Sequence, residues 1–265
     1  MKKLSKAHFI NSTQMKLFAA LLMVPDHIYD NFIAFGPPLW LKYLGRLVFP
    51  IFLFTLAEGF HYTRDRKKYL LRLLYASWGM TILTTVVQMI LPNDEIVLMN
   101  NAFSTLFVTG LYIYVWDRTI ASIQEKNWKK IFSSIGLALI PVIAILPALL
   151  AVTFTENLSL TVTRVAITLS LLAPNLLFIE GGPVLVLLGL GFYILRKWRW
   201  AQVALLLALS AVVFVTGDHL QSFMGVAAIP MILYNGEPGK GLKNFFYIFY
   251  PIHIVILYVA ATLLA

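Results

Sequence analysis

The sequence predicts an all-α protein, a polytopic helical bundle built to sit in a lipid bilayer. Of its 265 residues 60% are hydrophobic and only 12% are charged, where a soluble domain carries about 25% charged residues. Mean hydropathy is +0.80. The apolar runs are about 15 to 22 residues long, as membrane helices require, and lack the roughly ten-residue alternation of barrel strands. Too few polar groups remain to cover a globule of this size, so lipid is the outer solvent. Within lipid every backbone polar group needs an internal partner, which leaves helices.

About nine to ten transmembrane helices are expected, each an apolar run bounded by charge or by turn residues. The first, 14–34, follows an N-terminal segment carrying Lys2, Lys3 and Lys6 and ends in Asn31 to Pro38. That segment lacks a small-residue cleavage site and is read as leading into an uncleaved span. The second, 39–60, runs into the basic loop Thr63-Arg64-Asp65-Arg66-Lys67-Lys68, and the third, 70–91, into Asn93-Asp94-Glu95. The fourth, 102–118, meets Arg118, Lys126, Lys129 and Lys130, and the fifth, 131–153, meets Glu156-Asn157. The stretch 160–179 contains Arg164, several threonines and Pro174-Asn175, which suits a re-entrant or interfacial segment. After the Gly181-Gly182 break come 183–195, which ends at Arg196, Lys197 and Arg199, then 201–216, 220–235 and 245–264.

Alternating crossings from a cytoplasmic N-terminus place the first three basic clusters inside. Keeping Arg196 to Arg199 and Lys240/Lys243 inside as well favours nine crossings. The net charge of +9 is then loop bias and not a nucleic-acid surface. No repeat or linker divides the chain, so 1–265 reads as one domain; the missing repeat argues against inverted-repeat transporters. The absence of cysteine excludes disulfides and thiolate chemistry.

Ionisable residues inside spans are costly and face a bundle interior or a water-filled cavity. The first span holds Lys16 and, eleven residues on, His27. Three helical turns place both on nearly one face, about 16 Å apart along the axis. Asp30, one turn further, is expected to reach the His27 ring, whereas Asp26 points to another side of the helix. An imidazole with a carboxylate in reach is the equipment of a general base, and its alternative is a structural histidine bonded to a neighbouring helix. Arg46 in the second span is expected to meet Asp26 or Asp30 across a helical hairpin, as counter-ion or as oxyanion stabiliser. Glu58 and His61 share a face at the opposite end. The 63–68 loop either obeys the positive-inside rule or grips an anionic nucleotide through its arginines. His253 is a second candidate for a buried polar role; His219 is expected to be solvated.

The segments Met15-Lys-Leu-Phe-Ala-Ala-Leu-Leu-Met-Val-Pro-Asp-His27, Gly45-Arg-Leu-Val-Phe-Pro-Ile-Phe and Ala57-Glu-Gly-Phe-His-Tyr-Thr-Arg-Asp-Arg-Lys-Lys-Tyr-Leu-Leu-Arg72, with Tyr234-Asn-Gly236 and Phe245-Phe-Tyr-Ile-Phe-Tyr-Pro-Ile-His253, resemble the TraX family of membrane proteins. These blocks bracket the chain, while about 120–180 carries little of the likeness. The resemblance implies a link to conjugative pilus assembly, where the type member is implicated in N-terminal acetylation of pilin. The first two spans more loosely resemble the acyltransferase type 3 family, whose first span has Arg or Lys, ten residues, then His. Lys16 and His27 reproduce that spacing, whereas Glu58-Gly59-Phe60 stands where that family tends to have Ser-Gly-Phe. The implied activity is acetyl transfer from cytoplasmic acetyl-CoA to a peptide, sugar or cell-wall polymer on the far side. His27 would act as base with Asp26, Asp30 and Arg46 around it. Lys16, Arg64, Arg66, Arg72, Glu58 and His61 would serve the donor. A proton-coupled transporter and a non-enzymatic pilus or secretion assembly factor use the same residue types and stay open at this level.

Overall fold

The computed structural model describes residues 9–98, 101–153, 159, 162, 165, 169–170 and 172–264. All elements among them are helical, and the one β contact is an isolated bridge between Ile10 and Tyr234. The helices are α1 (Ser12–Asn31), α2 (Trp40–Gly45), α3 (Val48–Tyr62), α4 (Arg66–Ile90), α5 (Ala102–Gln124), α6 (Trp128–Ile143), α7 (Leu146–Thr153), α8 (Gly182–Ile194), α9 (Arg199–Val215), α10 (His219–Ser222), α11 (Ala228–Leu233) and α12 (Lys243–Leu264). The chain forms two compact units, one of Met1–Tyr62, Leu83–Leu98 and Gly191–Ala265, the other of Thr63–Ile82 and Met99–Leu190.

Among the described residues three helices are long and apolar enough to cross a membrane, at Trp40–Tyr62, Arg66–Ile90 and Asn244–Leu264. Gly182–Ile194, Arg199–Val215 and His219–Leu233 are apolar but shorter. The clearest membrane signature is α4. Leu71, Tyr75, Trp78, Ile82, Val86 and Met89 stand exposed at helical spacing, while Ser77, Thr81 and Thr84 are buried. A helix in water does the reverse; here apolar side chains meet the solvent and hydroxyls face the interior, as lipid demands. α12 repeats the pattern, with Ile248, Ile252 and Ile256 exposed and Tyr250, His253, Ile254 and Tyr258 buried.

Local chemistry explains the boundaries. Asn11 caps α1 in a capping box: its side chain accepts the Gln14 N–H at 3.0 Å, and the Gln14 side chain accepts the Asn11 N–H at 2.9 Å. The helix gives way after Asn31 to a short 3-10 turn closed by Gly36, whose φ of 67° is left-handed. Three expected spans are interrupted, the 39–60 one while keeping its crossing length as Trp40–Tyr62. The 39–60 span divides into α2 and α3 around Arg46 and Leu47. The 131–153 span divides after Ile143, because Pro147 cannot donate to the Ile143 carbonyl and its ring crowds that position. The 220–235 span is α10, a 3-10 segment (Phe223–Ala227) and α11. Gly225 there lies so close to Ser210 that no Cβ would fit.

The charged part of the 160–179 stretch, including Arg164, lies outside the described residues. Residues 173–181 are not helical. The buried Asn175 holds them, donating to the Ser170 carbonyl at 2.9 Å and accepting the Leu177 and Phe178 N–H groups at 3.1 and 2.8 Å. Irregular backbone at this depth is tolerable when such contacts satisfy it. In the second unit Val108, Ile179 and Val186 form a small core, and the Thr105 hydroxyl donates to the Glu180 carbonyl at 2.9 Å.

In the first unit α3 is the central helix, buried nearly all round from Val48 to Phe60, and α1 packs on α2, α3 and α12. The chain ahead of α1 is tied to the 233–240 segment. Phe9 and Ile10 donate to the Leu233 carbonyl, Asn235 N–H to Ile10, Ser12 N–H to Glu237, and the Thr13 hydroxyl to Lys240 and Pro238. Arg199 at the start of α9 pairs with Glu58 near the end of α3. The start of α1, the end of α3, the start of α9 and the loop before α12 therefore share one end of this unit. Arg196, Lys197 and Lys240 collect there, as the charge pattern predicts. At the other end Asn93 donates to Thr262 at 3.0 Å and Tyr258 to the Leu91 carbonyl at 2.8 Å.

Candidate active site

Two polar groups stand along α3. The first is centred on His27, 3% exposed, on α1. Its partner is His253 on α12, 8% exposed, with 2.9 Å between Nδ1 of His27 and Nε2 of His253. The ring planes differ by 6° and the centroids lie 5.0 Å apart. With so short an N···N contact, that separation is two ring radii plus a hydrogen bond, so the rings meet edge to edge in one plane. In-plane contact is what an sp² lone pair requires. On its far side His253 Nδ1 lies 2.8 Å from the Phe249 carbonyl. The Phe249 ring also stacks on His253 at 4.7 Å and 14°, and Tyr250 lies 6.5 Å from His27.

The carboxylates do not orient His27 as expected. Asp30 instead bonds Lys42 Nζ at 2.5 Å, and Asp26 lies 3.2 Å from Lys42 and 3.1 Å from Arg46. Lys42 and Arg46 are one helical turn apart and so present both cations to α1 together, which draws both carboxylates away from the ring. Arg46 does meet Asp26 across the hairpin, and its other Nη donates to Gln221 on α10 at 2.9 Å. Its buried Nε–H has no partner among the described residues. Gly45 lets the two helices close, because any Cβ there would strike the Asp26 carboxyl. Asp26, Lys42 and Arg46 all lie within electrostatic reach of His27.

The second group lies near the end of α3. Glu58 pairs with Arg199 at 3.8 Å and accepts from Gln202 Nε2 at 3.2 Å; Gln202 also donates to the Phe192 carbonyl at 2.7 Å. The Arg199 guanidinium lies against both the Phe54 and Tyr234 rings, 4.4 and 4.9 Å from their centroids, and the two rings meet each other edge to face. Glu58 is thus an ion-pair partner in the bundle and does not act with His61, which is exposed and packs against Tyr62. Lys16 is partly buried on α1 and makes no ion pair among the described residues. In the second unit Arg66 pairs with Asp117 at 2.5 Å, Arg72 lies over the Tyr69 ring at 5.6 Å, and Arg64 is exposed. His219 is exposed beside Phe214, as expected.

The sequence singles out His27, Asp26, Arg46 and His253, which the packing places around one site, but not the neighbours Lys42 and Gln221, nor Arg199 and Gln202 beside Glu58. The Lys42-Arg46 spacing was the available signal: two cations at i and i+4 in an apolar span require acidic partners on one neighbour. Nothing in sequence pairs residue 58 with 199 or 202.

Together these features define a helical membrane protein with a buried histidine pair beside a cluster of ion pairs. The family model described as "TraX protein" matches residues 11–157 and 140–261, and the chain belongs to the TraX family. It is similar to a probable fimbrial assembly protein, FimC of serogroup H1, from Dichelobacter nodosus, at 25% identity over 264 residues covering 92% of this chain and 93% of the relative. No solved structure matches.

Proposed function

We propose that this protein is an integral-membrane acetyltransferase that moves an acetyl group from acetyl-CoA to an amine or hydroxyl acceptor. The observation that carries the reading is the buried His27–His253 pair, a neutral base held in the core of a membrane bundle. The likeness to acyltransferase type 3 proteins in the Lys16-to-His27 spacing supports it. The relative's designation as a fimbrial assembly protein adds a pilin-like peptide to the acceptor candidates, beside sugars and cell-wall polymers.

Lys16 fits an anionic donor, being a partly buried cation on α1 with no ion-pair partner among the described residues. Its end of the first unit is the basic one, read as cytoplasmic by the positive-inside rule. When bound, the donor supplies an activated thioester. His27 takes the proton of the attacking amine or hydroxyl, the new bond to the acyl carbon forms, the C–S bond breaks, and the proton passes to the leaving thiolate. Arg46 offers its unpartnered Nε–H to the developing oxyanion.

The test is purified protein in nanodiscs with radiolabelled acetyl-CoA and candidate acceptors. Label transfer that disappears in His27→Ala supports the reading. The absence of thioester turnover, with no thermal shift on adding CoA, refutes it and leaves an assembly factor, which should instead co-purify with partner subunits. A transporter would show ion-dependent flux in liposomes.

A further inference from the structure

The histidine pair contains more information than a contact. A carbonyl oxygen only accepts, so the 2.8 Å contact from His253 Nδ1 to Phe249 O requires a proton on Nδ1. One proton then lies between His253 Nε2 and His27 Nδ1. A full charge on an imidazole sealed in a membrane bundle is costly, so the resting pair is neutral. His253 Nε2 is therefore the acceptor and His27 Nδ1 the donor. That leaves the lone pair of His27 on Nε2, to which no described residue hydrogen-bonds.

We propose that His253 is a positioning residue that locks His27 in its Nδ1–H tautomer and accepts the charge that His27 acquires during turnover. This rests on the reading of His27 as the base. As His27 Nε2 takes a proton, the Nδ1 proton moves to His253 Nε2. The charge then resides on His253, whose Nδ1–H still donates to Phe249. Return of the first proton to the leaving group reverses the shift, so the relay is restored each cycle. A carboxylate usually fills this role beside a catalytic histidine; here both nearby carboxylates are held by Lys42 and Arg46. The parallel stack of Phe249 on the His253 ring fixes the plane in which the relay works.

The first test needs no activity. In protein keeping only His27 and His253, with His8, His61 and His219 replaced by Gln, ¹⁵N-histidine NMR in nanodiscs should show both rings protonated at Nδ1 and bare at Nε2. His253→Gln places an amide oxygen where Nε2 was, and His27 should keep its tautomer. His253→Ala should release it to the ordinary Nε2–H form. A wild-type His27 protonated at Nε2 overturns the proposal, as does a tautomer indifferent to His253→Ala.

The second test is kinetic. His253→Ala should lower kcat by roughly 10²-fold or more, with KM for the acetyl donor unchanged. His253→Gln, which holds the tautomer but cannot take the proton, should fall between. Equal kcat in wild type and His253→Ala overturns the relay. If the NMR result holds and no acetyl transfer is found, the lock stands and only the enzymatic reading fails.

Discussion

Replacing Gly45 by Ala should destabilise the protein by prising apart the hairpin at its charged end. The added Cβ would land on the Asp26 Cβ and carboxyl, so the two helices must part, drawing Asp26 away from Arg46 and Lys42, now 3.1 and 3.2 Å distant. Lys42 keeps Asp30 and Arg46 keeps Gln221. The loss is therefore one charge-assisted hydrogen bond, about 1.5–3 kcal/mol, together with a second contact to a largely buried carboxylate. The total is about 2–4 kcal/mol, within the range for overpacking plus a broken polar pair. At about 2–4 °C per kcal/mol for a chain of this size, Tm should fall by roughly 5–15 °C. The sign is informative, because Gly→Ala at an unhindered helical position stabilises by about 0.4–1 kcal/mol. Gly59, where a Cβ meets nothing within 4 Å, is the internal control and should shift Tm upward. The assay is thermal unfolding of purified protein in one detergent, in wild-type and Asp26→Gly backgrounds, since alanine at 26 would keep the Cβ that the new methyl also strikes. If Asp26 transmits the strain, Gly45→Ala should cost nothing once Asp26 is gone. An equal loss in both backgrounds refutes the reasoning.

Three further outcomes follow from the same geometry. Arg199→Lys keeps the charge but weakens the cation–π contacts with Phe54 and Tyr234, and should cost about 1–2 kcal/mol by thermal unfolding. Asn11→Ala removes the α1 cap and should cost about 1 kcal/mol; hydrogen exchange should rise selectively in the first turn of α1. Asp117→Ala should lower stability by up to about 1 kcal/mol, since the Arg66 pair is partly solvated. The reversed pair Arg66→Asp with Asp117→Arg should recover part of that loss, whereas Arg66→Asp alone should not.

The helical class was legible because lipid leaves the backbone few solutions, and runs such as 70–91 and 245–264 became single helices with ends shifted by a few residues. The interrupted spans were not. Hydropathy averages over Ala144-Ile145 and over 223–227, where a proline ring follows the one break and the hydroxyl of Ser210, a tertiary neighbour, donates to the Ser222 carbonyl at the other. At the site, the need of Arg46 for an acid pointed to Asp26 or Asp30 without choosing, and the packing gives it Asp26. The turn spacing on α1 misassigned Asp30, because the nearest residue on one helix loses to an oppositely charged side chain on the next. His253 stood in the sequence as an isolated polar residue in an apolar helix. Only the packing of α12 on α1 makes it the partner of a residue 226 positions away.

The charge balance around His27 explains why a second histidine, and not a carboxylate, suits this position. Asp26 and Asp30 against Lys42 and Arg46 make a neutral set, closed by contacts of 2.5–3.2 Å. A carboxylate in the place of His253 would add an uncompensated negative charge to the buried core at rest, which a membrane interior penalises throughout the resting state. A neutral imidazole carries no such cost and becomes charged only when His27 takes a proton. The charge then spreads over two rings, with a backbone carbonyl at the far end to receive it. On this argument His253→Asp should be worse for stability than His253→Ala, although aspartate is the usual partner of a catalytic histidine. Thermal unfolding of the two variants decides it, and a His253→Asp protein as stable as His253→Ala would mean the resting site tolerates the added charge.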